Sequence, residues 1–167
     1  MSARRENAYG FDVSGDRIPI KVSFTFYPAD MRALNVCVVG LRGAGVPVRG
    51  GTVLRALIHL TSAEEMFAHA VLLAKAQKKK GGPREADYVA GHPTVDLPTD
   101  LVKKLDDVVT ELAAKKIPAS RAFIVRAILR AAPDAAELAP AVKRYLDDFP
   151  PRPRGWAARK ARTSRKP

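Results

Sequence analysis

Residues 18–26 read IPIKVSFTF, a stretch in which apolar and polar side chains alternate. The apolar members are Ile20, Val22, Phe24 and Phe26, and the polar members between them are Lys21, Ser23 and Thr25. This period of two predicts a strand with one buried face. A shorter stretch, HPTVDLP at residues 92–98, has the same alternation. Because a strand without a partner is not stable, we expect the two to pair as an antiparallel ribbon.

The chain repeats itself around and after these strands. At an offset of 71 residues, VLRALI (residues 53–58) aligns with IVRAIL (residues 124–129). At an offset of 70, FYPADM (residues 26–31) aligns with DLPTDL (residues 96–101), which places one inserted residue just after the proline that ends each strand. We therefore predict a tandem duplication in which each copy holds a strand, a helix, a turn and a second helix.

Helical periodicity is strongest in the second copy, where Leu101, Leu105, Val108 and Leu112 recur at helical spacing. The matching segment of the first copy, MRALNVCVVGLRG, is richer in glycine and β-branched residues, and the duplication predicts that it is also a helix. Two extra helices follow the copies. The capping box in TSAEE (residues 61–65) opens a helix through about residue 79, and residues 133 and 134 open one that ends near residue 149.

The predicted architecture is mainly α, with a short two-stranded antiparallel β-ribbon. Five parts follow one another: a flexible arm (1–17), a first unit with its extra helix (18–76), a linker (77–91), a second unit with its extra helix (92–149) and a basic, disordered tail (150–167). Paired glycines, a lysine run and the two prolines within residues 77–93 indicate the linker. The tail has seven cations, no acids and almost nothing to bury.

Charge points to a polyanionic partner. The 167 residues carry 29 Lys and Arg against 17 Asp and Glu, for a formal charge of +12. Cations that neutralise phosphates release condensed counterions, so nucleic acid is the leading candidate, although an anionic membrane surface satisfies the same arithmetic. The apolar runs are too short for a membrane span, and no apolar segment follows the basic start, so a cytoplasmic location is expected.

Features of enzymes or metal proteins are weak in this sequence. The run VCVVGLRGAG (residues 36–45) resembles the glycine loop of a nucleotide-binding strand and helix, but its spacing is not Gly-x-Gly-x-x-Gly and no Gly-Lys-Ser/Thr follows. His59 and His69 have no cysteine or acidic partner at ligand spacing, and Cys37 in its apolar stretch is interpreted as a core residue. We expect no enzymatic activity, no cofactor and no metal site.

Pairing of the two strands would leave one polar face outside. We expect Val22, Phe24, Val95 and Leu97 to face inward, toward four interlocked helices. The outward residues are then Lys21, Ser23, Thr25, His92, Thr94 and Asp96. A two-stranded ribbon fits the major groove, so these six are candidates for reading base edges in double-stranded DNA. Pairing within one chain, as a monomeric pseudo-dimer, and pairing between two chains, as a homodimer, are equally allowed.

The repeated strand, helix and helix, together with SRAFIVRAIL (residues 120–129), resemble the ribbon-helix-helix superfamily of MetJ, Arc and CopG. The resemblance covers roughly residues 18–60 and 92–132. It implies that outward strand residues read bases and that the N-terminus of each second helix binds a backbone phosphate, as the helix dipole also favours. The matching positions are Arg49, Gly50, Gly51, Ser120, Arg121 and Ala122.

Two unequal units in one chain are similar to the arrangement in the conjugation protein TraY and in the overdrive-binding accessory protein of T-DNA transfer. That similarity implies an accessory factor of plasmid or mobile-element transfer, with a relaxase or another transfer protein as a partner. The alternative is a transcriptional repressor or partition protein of a mobile element. A scaffold role for the extra helices is compatible with both. The tail is expected to anchor DNA nonspecifically through Arg152, Arg154, Arg159, Lys160, Arg162, Arg165 and Lys166.

Overall fold

The computed structural model describes residues 19–79 and 89–149, which are mainly helical and contain one two-stranded antiparallel sheet. The elements of these ranges are β1 (Ile20–Ser23), α1 (Pro28–Gly43), α2 (Gly50–Leu60), α3 (Ala63–Lys79), β2 (Thr94–Leu97), α4 (Thr99–Ala114), α5 (Arg121–Arg130) and α6 (Ala135–Asp148). The predicted fold class is confirmed at this level. The predicted arm, most of the predicted linker and the basic tail lie outside the described residues.

The two predicted strands pair with each other in antiparallel orientation within one chain. Their register places Ile20 opposite Leu97 and Ser23 opposite Thr94. The ladder continues beyond the strands, because the Phe24 amide donates to the Pro93 carbonyl (2.9 Å) and the Phe26 amide donates to the Gly91 carbonyl (2.9 Å). The expected ribbon is therefore present, and we call its extended form, residues 20–26 with residues 91–97, the ribbon.

The alternation of the strand sequences matches their burial. The predicted inward residues are all buried, and so is Phe26: Val22, Phe24, Phe26, Val95 and Leu97. Ile20 belongs to the same apolar alternation but is 41% exposed, so burial of the apolar face does not reach this position. It is the first residue of β1, and Leu97 opposite it on β2 is fully buried.

The two copies have the same internal spacing. Helices α1 and α4 begin 71 residues apart and end 71 residues apart, and α2 and α5 also begin 71 apart. The turn between the helices of each copy has a residue with positive φ, Gly45 (81°) in the first and Lys116 (58°) in the second, again 71 apart. The segment MRALNVCVVGLRG is helical, as the duplication predicted.

The inserted residue that the proline alignment predicted is absent. Tyr27 is the N-cap of α1 and Pro98 is the N-cap of α4, so the offset is already 71 where the helices start. Pro28 is instead the first residue of α1. Proline suits both positions because it lacks the backbone N–H that a helix start leaves unpaired, so matching the two prolines misaligned this boundary.

Each extra helix packs on the opposite copy. Helix α3 packs against α4 and α5, whereas α6 packs against α1 and α2. The predicted capping box of α3 is present, with the Glu65 amide donating to the Ser62 hydroxyl and the Ser62 amide donating to the Glu65 carboxylate. Asp134 caps α6 by accepting a hydrogen bond from the Glu137 amide (3.0 Å). One hydrophobic core therefore spans both copies.

Two boundaries of the predicted linker differ from the structure. Helix α3 continues through Lys79, so residues 77–79 belong to it. Gly91 bridges to Phe26 and extends the ribbon. Helical hydrogen bonding at one end and strand pairing at the other both continue into a segment whose composition is typical of a linker.

The glycine-rich run at residues 36–45 has structural roles that account for its glycines. Its apolar part lies inside α1 and is not a strand, so the strand-turn-helix of a nucleotide loop is not formed there. Gly40 lies against α6, where an added Cβ would come within 2.5 Å of the Ala135 Cβ. Gly45 supplies the positive φ of the turn.

We predict that Gly40→Ala lowers the free energy of unfolding by about 1–3 kcal/mol, because the added methyl forces α1 and α6 apart. Gly43→Ala is the matched control, since a Cβ added there would meet no neighbouring atom within 4 Å, and it should leave stability unchanged or slightly higher. Urea unfolding measures both. Ala135→Gly should restore part of the loss in the Gly40→Ala background, and equal losses at the two glycines would contradict the assigned contact.

Candidate functional site

The outer face of the ribbon holds all six residues predicted to point outward, and we call it the ribbon face: Lys21, Ser23, Thr25, His92, Thr94 and Asp96. Four of them are exposed, while Thr25 and Asp96 are half-buried. Lys21 lies opposite Asp96 and Ser23 lies opposite Thr94, with 3.4 Å between the two hydroxyl oxygens. The same register brings Thr25 opposite His92. The ribbon thus presents a continuous polar strip over an apolar underside.

Helix α2 holds β2 from the side. The Arg55 Nε donates to the Asp96 carbonyl (3.0 Å), and a Cβ added at Gly51 would lie 3.8 Å from the Thr94 carbonyl oxygen. The first turn of α2 therefore lies in van der Waals contact with the backbone of β2. As a result, the predicted phosphate-binding positions of the first copy lie next to the ribbon face.

The start of α2 is cationic. Arg49 is its N-cap, is exposed and makes no side-chain cap, and the first turn contains no acid. The Arg42 Nε donates to the Val48 carbonyl (2.9 Å), which ties the preceding turn to the end of α1. An open depression of about 460 Å³ lies here between Arg42, Arg49 and the turn residues 45–48. Unpaired amides of the helix start add to the positive potential of the two guanidinium groups.

The start of α5 is built differently. Ser120 caps it by accepting a hydrogen bond from the Phe123 amide (3.2 Å). Arg121 forms two hydrogen bonds with the Asp106 carboxylate, Nε to Oδ1 at 2.6 Å and Nη2 to Oδ2 at 2.7 Å. These bonds lower the pKa of Asp106 and raise the pKa of Arg121. Arg121 was predicted to contact phosphate, but its guanidinium is already held by a carboxylate.

A second difference between the copies concerns two arginines at equivalent positions, Arg55 and Arg126. Whereas Arg55 donates to a strand carbonyl, the Arg126 guanidinium lies over the rings of Tyr27 (4.9 Å to the centroid) and Phe123 (5.5 Å). The Arg126 Nε is buried and has no hydrogen-bond partner among the described residues. Stacking on aromatic rings compensates part of that desolvation.

Sequence reasoning missed a buried ion pair that joins the two copies. Asp30 is completely buried, accepts a hydrogen bond from the Tyr27 amide (2.9 Å) and accepts another from the Arg130 Nε (2.8 Å). The third position of a helix often carries an acid that bonds back to the N-cap, so the first of these contacts had a local signal. The second links residues 100 apart and had none.

A lysine of the second copy caps a helix of the first. The Lys104 ammonium donates to the Ile58 carbonyl (2.9 Å) near the end of α2, and its burial there lowers its pKa. Cations are favoured at helix C-termini, where carbonyl groups lack intrahelical partners. The contact therefore links the end of α2 to α4.

Within the described ranges, His59 and Cys37 each pack against apolar or aromatic side chains. The His59 ring packs beside the rings of Tyr145 (5.2 Å) and Phe149 (5.4 Å), and partial burial lowers its pKa. Burial also raises the pKa of Cys37, which packs against the hydrophobic core, as predicted for a core residue. Burial raises the pKa of Tyr145 to about 12. Within residues 19–79 and 89–149, no group of three potential metal ligands comes together.

No family model, curated protein or solved structure matches this chain. Among the helices that the structure describes, none combines the length and apolar character needed to cross a membrane.

We predict that Asp30→Ala lowers the free energy of unfolding by about 3 kcal/mol, because it removes the fully buried carboxylate that pairs with the Arg130 guanidinium at the contact between the copies. Asp100→Ala is the control: it removes an exposed acid from the first turn of α4 and should cost less than about 1 kcal/mol. Thermal and urea unfolding measure both variants. Arg130→Met should offset part of the loss in the Asp30→Ala background, and strictly additive losses would count against the ion pair.

Proposed function

We propose that this chain is a tandem ribbon-helix-helix protein that binds double-stranded DNA site-specifically, with the ribbon face inserted in the major groove. The proposal rests on the residue pairing at the centre of the ladder. Ser23 pairs with Thr94, and these two residues are themselves separated by the 71-residue offset that relates the copies. A residue that faces its own equivalent lies on a two-fold axis.

The rest of the ladder supports the same axis. Three residues before Ser23, Ile20 pairs with Leu97, and three residues after it, Phe26 pairs with Gly91. Two strand-helix-helix units related in this way around a shared ribbon form the arrangement expected of a ribbon-helix-helix pseudo-dimer. The exchange of α3 and α6 between the copies is compatible with this symmetry, since each extra helix contacts the two helices of the opposite unit.

The ribbon face has the dimensions and chemistry of a groove-reading element. B-DNA's major groove is about 12 Å wide and admits a two-stranded ribbon, and every base pair presents a distinct set of donors and acceptors there. The six outward side chains include an ammonium, three hydroxyls, an imidazole and a carboxylate, which supply both donors and acceptors. Shape and donor pattern together favour direct readout over a merely solvated surface.

The starts of α2 and α5 are proposed to contact the DNA backbone on either side of the ribbon. At α2, Gly50, Gly51 and the exposed Arg49 offer backbone amides and a guanidinium to a phosphate. At α5, Ser120, Arg121 and Ala122 occupy the equivalent positions, with Arg121 held by Asp106. The basic tail would add sequence-independent attraction, which depends steeply on salt.

The preferred biological role is an accessory factor in plasmid or mobile-element transfer, with a relaxase or another transfer protein as partner. It follows from the resemblance of two unequal tandem units to conjugation proteins. A repressor or partition role is the alternative, and a footprint separates the two. Protection beside a transfer-origin nick supports the first, whereas protection of the chain's own promoter supports the second.

We predict that Lys21→Ala and Thr25→Ala each reduce discrimination between specific and random DNA by about 1–3 kcal/mol, since each loses a base contact. The control is Lys143→Ala, which removes the same charge from an exposed position on α6. Competition binding at constant salt measures the ratio of specific to nonspecific affinity. A loss shared equally by specific and random DNA would exclude the ribbon as the reading element.

A further prediction concerns Asp106, which holds Arg121 away from phosphate. Asp106→Ala should tighten DNA binding severalfold and make the salt dependence steeper by about one phosphate contact, because it frees a cation beside the α5 start. Asp107→Ala removes the same charge at a neighbouring exposed position and should have a smaller effect. Titrations at several salt concentrations test this. Equal effects of the two variants would argue against a role for Arg121.

A further inference from the structure

The ribbon face is asymmetric although its backbone pairing is symmetric. With the 71-residue offset, Lys21 corresponds to His92, Ser23 to Thr94, and Thr25 to Asp96. None of the three equivalent pairs is identical. A homodimer would present the same three side chains twice, whereas this chain presents two different sets.

The register sorts these side chains into two unlike ends. Lys21 and Asp96 are directly opposite each other at one end, the two hydroxyls of Ser23 and Thr94 meet in the middle, and Thr25 faces His92 at the other end. Among the described residues, no salt bridge joins Lys21 to Asp96. One end of the ribbon face therefore carries both of its formal charges.

We propose that the ribbon reads an asymmetric, non-palindromic DNA site in one orientation, with Lys21 and Asp96 selecting a half-site that contains a G·C pair. This inference rests on the proposed function and deepens it. It concerns the class of DNA that is bound, and it assigns the selection of orientation to four residues: Lys21, Thr25, His92 and Asp96.

Base chemistry explains why the charged end would prefer G·C. An ammonium donates to the O6 and N7 acceptors of guanine, and a carboxylate accepts from the N4 amino group of cytosine. Opposed residues on neighbouring strands lie about 5 Å apart, so both can reach the same or adjacent base pairs. A G·C pair presents two adjacent acceptors followed by a donor, whereas an A·T pair presents its donor between two acceptors. The order of Lys21 and Asp96 therefore matches G·C in one orientation, and the reversed orientation or an A·T pair sets a charge against a group of the wrong kind.

The flanking helix starts break the symmetry in the same molecule. The α2 start has the exposed Arg49 and no acid in its first turn, whereas at the α5 start Arg121 is neutralised by Asp106. Backbone protection is therefore expected to be stronger on one side of the ribbon. Base readout sets the orientation on the DNA, and the unequal phosphate contacts make that orientation visible in the protection pattern.

Selection from a random duplex library with the full chain tests the inference first. The expected consensus is non-palindromic, with about a tenfold preference for G·C in one half-site only. Orientation is measured with an iron chelate on a single cysteine, placed by Pro118→Cys in the exposed turn before α5 and combined with Cys37→Ser. Cleavage should fall on one side of the selected site.

Two variants then identify the residues. The exchange variant carries Lys21→His, Ser23→Thr, Thr25→Asp, His92→Lys, Thr94→Ser and Asp96→Thr, so its composition and charge equal those of the parent. It should select the same consensus, and the cleavage should move to the opposite side. A symmetric variant carrying His92→Lys, Thr94→Ser and Asp96→Thr should select a palindrome.

Each outcome decides between the proposals. A palindromic consensus for the parent chain, or equal cleavage on both sides, overturns the asymmetric reading and leaves DNA binding intact. No sequence preference at all overturns the proposed function itself. Cleavage that stays on the original side in a folded exchange variant would overturn the role of the ribbon face in setting the orientation. If the exchange variant does not fold, the consensus of the symmetric variant decides that role.

Discussion

The ladder between residues 20–26 and 91–97 is the contact on which the rest of the packing depends. Its underside contributes Val22, Phe24, Phe26, Val95 and Leu97 to the core, and these side chains cover the helices of both copies. Either strand alone would expose an unpaired edge and an apolar face. Because each copy supplies only half of the ribbon, neither can bury its own core, and the two fold around one shared core.

Contacts away from the ribbon also join the two copies. Helix α3 follows the first copy and packs on the second, and α6 follows the second copy and packs on the first. The buried pair of Asp30 and Arg130 and the capping of α2 by Lys104 cross between the copies as well. Removal of any one of these contacts would therefore weaken the association of the two copies. Its effect would not be limited to a single helix or strand.

The backbones of the two copies are arranged symmetrically, whereas their exposed side chains differ. Element spacing, turn geometry and strand register repeat closely, since they depend on local hydrogen bonding and on positions that are apolar in both copies. Exposed residues are free of that constraint, so the ribbon face and the two helix starts differ between the copies. In the proposed function, the shared geometry positions the reading elements and the differing side chains determine what each end reads.

The sequence by itself determined the strands, the duplication, the six helices and the outward set on the ribbon, because period, capping residues and repeat offset are local properties. It also predicted an apolar environment for Cys37, which is half-buried and packs against the core. Tertiary structure alone decided the common 71-residue offset at Tyr27 and Pro98, the exposure of Ile20 and the crossing of α3 and α6. It alone paired Asp30 with Arg130 and Arg121 with Asp106. Those features depend on which surfaces meet in space, and neither ion pair, whose partners lie 15 and 100 residues apart, is marked by a period or a repeat in the sequence.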